Sequence, residues 1–151
     1  MTLMNRYALA LAAVSLVGSA AVGCADRPEM PSPGPQTTTI EVSYDDLLSQ
    51  KEASREAGLA VGDFLQISLG SNASTGYQWV AEMQISDPQV LVQTGHERVG
   101  PAESRPGAAG REVWVLQAVG PGTATVSTSY GQPWAGGEKG TWTFTAVVTV
   151  K

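Results

Sequence analysis

His96 and Cys24 are the chain's only histidine and only cysteine. A nucleophile needs a base within hydrogen-bond reach to activate it, and neither residue has a sequence neighbourhood that forms such a pair. Asp45-Asp46 is the one run of adjacent carboxylates, and without His or Cys at ligand spacing it reads as a solvated turn or a helix start, not a metal centre. Nothing singles out two carboxylates for acid–base work on a substrate. No catalytic residue, metal ligand or cofactor is therefore expected, and His96 is read as a surface or half-buried strand residue.

Cys24 invites chemistry of another kind. It follows Ala21-Val22-Gly23, at the end of a segment in which Arg6 supplies a positive start and Tyr7 to Val22 are almost all apolar or small. That is the pattern of a secretory signal over residues 1–23, too short and too rich in small residues for a comfortable membrane span. Small residues directly before a cysteine resemble the bacterial lipobox, whose thiol is acylated and becomes the new N-terminus. The expectation is an exported protein, lipid-anchored through Cys24 to the outer face of the bacterial cell membrane. An acylated Cys24 leaves no disulfide, so the fold must rest on apolar burial.

Recognition is the chemistry that three other segments suit. In Ser71-Asn72-Ala73-Ser74-Thr75-Gly76-Tyr77, small hydroxyl side chains occupy a turn that Gly76 closes by taking a positive φ. In Arg105-Pro106-Gly107-Ala108-Ala109-Gly110-Arg111 the backbone is unshielded and suited to pairing with another chain. In Tyr130-Gly131-Gln132-Pro133-Trp134 a tryptophan follows a proline within a glycine-flanked loop, where a large aromatic surface can anchor an interface. Each segment alone is equally an ordinary strand connection, and a loop tryptophan can also fold back onto the core.

The elements that must hold these loops are strands. With 151 residues, 17 glycines and 9 prolines, the chain suits one turn-rich all-β domain. Its net charge of −5 and lack of a Lys/Arg run argue against nucleic acid as a partner. Residues 24–39 hold four prolines and almost nothing apolar, and read as a lipidated tether before a domain spanning 40–151. A strand is expected over Thr39 to Val42, followed by a brief helix through Leu47 and Leu48 that Ser43 and Asp46 cap. Alternation of period two then marks Leu59 to Leu69 (broken at Gly62-Asp63), Tyr77 to Ala81, Val90 to Thr94, Val113 to Ala118, Thr123 to Tyr130 and Thr141 to Val150. About seven short strands with regular turn signals predict an immunoglobulin-like β-sandwich. Trp79 and Trp142 fall at inward parities and read as core.

The order of the three loops resembles the chagasin family of papain-type cysteine protease inhibitors. The match is carried by Asn72-Ala73-Ser74-Thr75-Gly76-Tyr77 with Trp79 just beyond, then the Gly-rich loop, then Pro133-Trp134, with Val61-Gly62-Asp63 leading into an alternating strand before the first loop. It covers roughly Leu59 to Lys151, and Ser43 to Ala57 looks like an insertion. The resemblance implies reversible inhibition of papain-like cysteine proteases without a covalent bond, and the chain is expected to act as a monomer. Ala73, Ser74 and Thr75, flanked by Asn72 and Gly76, would enter the cleft, while Gly107, Ala108, Ala109 and Gly110 on one side and Gln132, Pro133 and Trp134 on the other clasp it. Ala73 stands where the family usually has Pro, Ala109 where it has Gly, and Gln132 where it has Arg, departures that weaken binding without abolishing it. The alternative use of the scaffold is a non-inhibitory binding or structural module of the cell envelope.

Overall fold

Period-two alternation buries one side of each long strand, and two apolar faces made this way are hidden only by packing against each other. The computed structural model describes residues 30–151, with Pro33–Lys151 forming one unit. The segment read as a secretory signal, Cys24 and residues 25–29 of the expected tether lie outside the described residues. The elements in chain order are β1 (Thr37–Val42), α1 (Tyr44–Ser49), β2 (Glu52–Leu59), β3 (Phe64–Ser71), β4 (Gln78–Trp79), β5 (Gln84–Ile85), β6 (Leu91–Val99), β7 (Gly110–Ala118), β8 (Gly122–Gly131) and β9 (Trp142–Val150). One sheet runs β1-β3-β7-β6 and the other β2-β9-β8-β4, with β5 also pairing β8. Leu65, Ile67, Leu69, Trp114 and Leu116 of the first sheet meet Val126, Tyr130, Phe144, Ala146 and Val148 of the second in one core. Trp79 and Trp142 lie buried in it, as their parity predicts.

Among the described residues nine strands replace the expected seven or so, because pairing also recruits segments with little apolar signal. β1 begins at Thr37, inside the stretch read as tether, because its backbone pairs in parallel with β3 from Thr37↔Phe64 to Val42↔Leu69. Three exposed threonines can start a strand when the neighbouring strand supplies the hydrogen bonds. Ser43 to Ala57 is likewise no excursion from the sandwich. Ser43 and Asp46 form the expected capping box, α1 buries Leu47, and β2 pairs in parallel with β9 along its whole length. With only Ala53 and Leu59 buried, β2 is held chiefly by its ladder. Leu59 and Leu65 belong to different strands, joined by a turn in which Gly62 takes φ 96° and Val61 is exposed.

β6 runs five residues beyond Thr94 and carries a register shift between Gln93 and Gly95. A bulge of this kind exchanges the two faces of a strand. Gln93 stands opposite buried Leu116, and past the bulge it is His96 and Arg98 that stand opposite buried Trp114 and Glu112. This one irregularity delivers two basic side chains to the loop end of the first sheet.

Candidate functional site

The first loop leaves β3 at Ser71 and is built around Asn72. Asn72 is buried, and its Oδ1 accepts from the Ser74 amide at 3.2 Å and from Ser74 Oγ at 2.5 Å. Its own carbonyl accepts from Thr75 Oγ1 at 2.6 Å. Residues Ala73–Thr75 thereby close into a single 3-10 turn, and Gly76 ends it in the left-handed region at φ 79°. A side chain there would be strained in φ, and its Cβ would lie 3.0 Å from the Trp134 ring. Ala73, Ser74 and Thr75 stand exposed at the apex.

Asn72 also ties this loop to its neighbours. Its Nδ2 donates to the carbonyl of Gly107 in the second loop at 3.2 Å, and its amide donates to the Tyr130 hydroxyl at 3.0 Å. Tyr130, at the end of β8, stacks on Trp142 with ring centroids 4.6 Å apart and lies 5.1 Å from Trp79. Burial there pushes its phenol above the ordinary range, outweighing the opposing effect of the Asn72 amide. The loop thus stands on a neutral, fixed hydroxyl rooted in the core.

In the second loop, Arg105 to Ala108 make a tight turn, with the Ala108 amide donating to the Arg105 carbonyl at 3.2 Å and Gly107 at φ 79°. Proline followed by a glycine of positive φ is the composition such a turn requires. Ala108 and Ala109 are the irregular residues that follow, but Gly110 already belongs to β7, where it is paired with Ser71 of β3. Its backbone is therefore not the free edge expected of the whole glycine-rich stretch. A Cβ at Gly110 would meet the Val99 carbonyl at 2.3 Å, which explains glycine at this crossing.

The third loop folds back on itself. Gln132 and Glu138 are joined twice, from the Gln132 amide to the Glu138 carbonyl at 2.7 Å and from the Glu138 amide to Gln132 Oε1 at 2.9 Å. The Lys139 ammonium donates to the carbonyls of Gln132 and Trp134. Gln132, expected from sequence to weaken this loop's binding, is thus a brace of the loop. Pro133 is exposed, and Trp134 leans one edge on Gly76 while leaving 50% of its surface to solvent. The Tyr77 hydroxyl donates to Glu138 at 2.6 Å, a second link between the first and third loops that raises the phenol's pKa. The three loops accordingly stand side by side at one rim, with the tryptophan facing outward.

Beneath the rim lies a residue that sequence reading passed over. Glu112 is 1% exposed and carries a carboxylate that accepts from the Trp79 amide at 3.0 Å and contacts His96 Nε2 at 2.8 Å, with Arg98 Nε at 3.5 Å. It anchors the strand that leaves the first loop. Its signal was available: Glu112 shares parity with Trp114, Leu116 and Ala118, so a charge on that face had to find partners inside. His96, tilted over Trp114 at 4.9 Å, is half-buried on a strand, as read, and serves this cluster. Among the described residues, no group of three His, Cys, Asp or Glu is placed to hold a metal ion.

Comparison with solved structures returns the same double-sheet fold. The cysteine protease inhibitor EhICP2 from Entamoeba histolytica is similar with a TM-score of 0.59 at 21% identity, over 80% of this chain and all of that one. Amebosin, solved in solution, is similar at 0.50 and 22% identity, over 79% of this chain and all of its own. PbICP-C, solved in complex with falcipain-2, is similar at 0.52 and 20% identity, over 77% of this chain and 99% of that one. No curated protein matches the chain in sequence. The profile of Chagasin family peptidase inhibitor I42 matches residues 58–148, the span that runs from the end of β2 through all three loops into β9. With 58–148 of its 151 residues matched, all three braced loops among them, the chain belongs to the chagasin family of peptidase inhibitors.

Proposed function

We propose that the chain is a reversible, non-covalent inhibitor of papain-like cysteine proteases, docking its three loops into and around the active-site cleft. The observation that carries this is the rim itself: a narrow apex of Ala73, Ser74 and Thr75 flanked by the Gly107 turn and by a half-exposed Trp134. The apex resists being used as a substrate. A cleaved peptide must lie extended with a carbonyl presented to the thiolate, whereas the Ala73 carbonyl is bonded to the Gly76 amide and the Asn72 carbonyl to Thr75. Because internal hydrogen bonds order the loop before docking, little conformational entropy remains to be lost. Ala73, Ala109 and Gln132 leave this arrangement intact, which supports inhibition over a scaffold that has lost it.

Titration of papain and a cathepsin tests the proposal. Inhibition below micromolar concentration is expected, and none at that level would leave the non-inhibitory envelope module as the reading. Trp134→Ala should weaken inhibition by about 2–4 kcal/mol, roughly 30- to 1000-fold in the inhibition constant, with the fold unchanged by circular dichroism.

The chain's place in the cell belongs to the same proposal: export, acylation at Cys24, and attachment to the outer face of a bacterial membrane as a monomer. The support is the apolar segment Tyr7 to Val22 and the small residues before the only cysteine. Intact-mass spectrometry is expected to show a chain starting at an acylated Cys24, and Cys24→Ser should move the protein from the membrane to the soluble fraction.

A further inference from the structure

We propose that the notch between the first and second loops receives a carboxylate side chain from the rim of the partner protease's cleft, gripped by Arg111 and Arg105. This rests on the reading of the three loops as a protease-binding surface and names a polar contact that would orient the docking.

The charge distribution points there. The chain carries −5 overall, yet Arg98, Arg105 and Arg111 line a single cavity of about 410 Å³ together with Ala73 and Ser74 of the first loop. The one other arginine among the described residues, Arg55, lies on β2. Among the described residues Glu112 is the only carboxylate lining the notch, and it is buried at the floor, already engaged by the Trp79 amide, His96 and Arg98. Arg98 is therefore answered from within. Arg105 lies 3.2 Å from Glu103, but these side chains are 73% and 71% exposed, a pairing that water competes with and a better acceptor displaces. Arg111 is exposed, and among the described residues no carboxylate lies within ion-pair distance of it.

Two arginines lining one cavity suit a carboxylate, because a guanidinium can bind both carboxylate oxygens at once where an ammonium acts as a point charge. The notch shares Ala73 and Ser74 with the apex, so a protease that takes the apex into its cleft brings a rim over the arginines. An acidic rim would be repelled by the rest of this surface and drawn to this corner, which sets the direction of approach.

The test uses the full chain against two forms of one papain-type protease, one with carboxylates along the cleft rim and one with those residues changed by Asp→Asn and Glu→Gln. The parent should inhibit the acidic form roughly tenfold more tightly, and its association rate with that form should fall as salt rises from about 0.05 to about 0.5 M. Both effects should vanish in the Arg105→Ala, Arg111→Ala double variant and persist in Arg55→Ala, with Trp134→Ala weakening both forms equally. Equal inhibition of the two forms by the parent, or a preference that survives in the double variant, overturns the notch while leaving the inhibitor reading standing. Inhibition of neither form overturns that reading, and the notch with it.

Discussion

Asn72 shows how much one side chain can organise when it is buried at a junction. Its oxygen caps the 3-10 turn, its amide nitrogen reaches Gly107, and its backbone amide reaches Tyr130. It therefore holds the apex without being offered to a partner. Asn72→Ala should lose the cap, at about 1 kcal/mol, and the bond to the second loop, at about 0.5–1.5 kcal/mol. Asn72→Asp keeps the acceptor for Ser74 but turns a carboxylate oxygen towards the Gly107 carbonyl in a buried site, so its loss reports the contact between the loops. Both variants should melt below the parent and inhibit more weakly. Midpoints that do not move would show the Gly107 contact and the cap to be incidental. Glu112 teaches a related lesson, because a carboxylate on an inward parity is a problem that only partners from β4 and β6 solve.

The first loop as an element is one turn of 3-10 helix with a capped start and a left-handed glycine end, and such a turn has room for proline at its first position. Among the described residues no hydrogen bond uses the Ala73 amide, and Asn72 before it is already extended at φ −132°, ψ 95°, close to what a following proline demands. Ala73→Pro should therefore stabilise the protein by about 0.4–1 kcal/mol through the unfolded chain and tighten inhibition, read from the denaturant midpoint and the inhibition constant together. A loss of stability would mean that the turn relies on freedom at Ala73. The bulge in β6 acts at the same level: by exchanging faces between Gln93 and Gly95 it puts His96 and Arg98 over Glu112.

In the molecule as a whole, the parallel strands decide where the domain begins. β1 pairs with β3 from Thr37 onward, so a chain starting at Pro33 keeps the ladder while one starting at Ile40 loses half of it. The longer form is expected to melt where the full domain does and the shorter one several degrees lower. A pH dependence belongs to the same junction. The Asp63 carboxylate accepts from the Gln36 amide at 2.9 Å and from the Ala60 amide at 3.0 Å, and these bonds hold its pKa below the ordinary carboxylate value of 3.8. A group whose folded pKa is lowered stabilises the fold above its unfolded pKa, and that stability drains away as pH falls through the folded value. Acid melting below about pH 4 should therefore be shallower in Asp63→Asn than in the parent, with the variant less stable at neutral pH.

Strands with one apolar face, β3, β7, β8 and β9, were legible from alternation alone, because burial of one face leaves a period-two record in residue type. The capped helix, the positions of Trp79 and Trp142 and the order of the three loops were legible for the same local reason: a cap or a turn is written within a few neighbouring residues. β1 was legible only from Thr39 onward and β2 was not, since backbone ladders are indifferent to side-chain type and a strand of threonines, alanines or glycines announces no partner. Nor could the chain order alone bring Asn72 to Gly107, Trp134 to Gly76, or Glu112 to His96 and Arg98. Those contacts span many residues and exist only because two twisted sheets close over one core and turn the ends of β3, β6, β7 and β8 to the same rim.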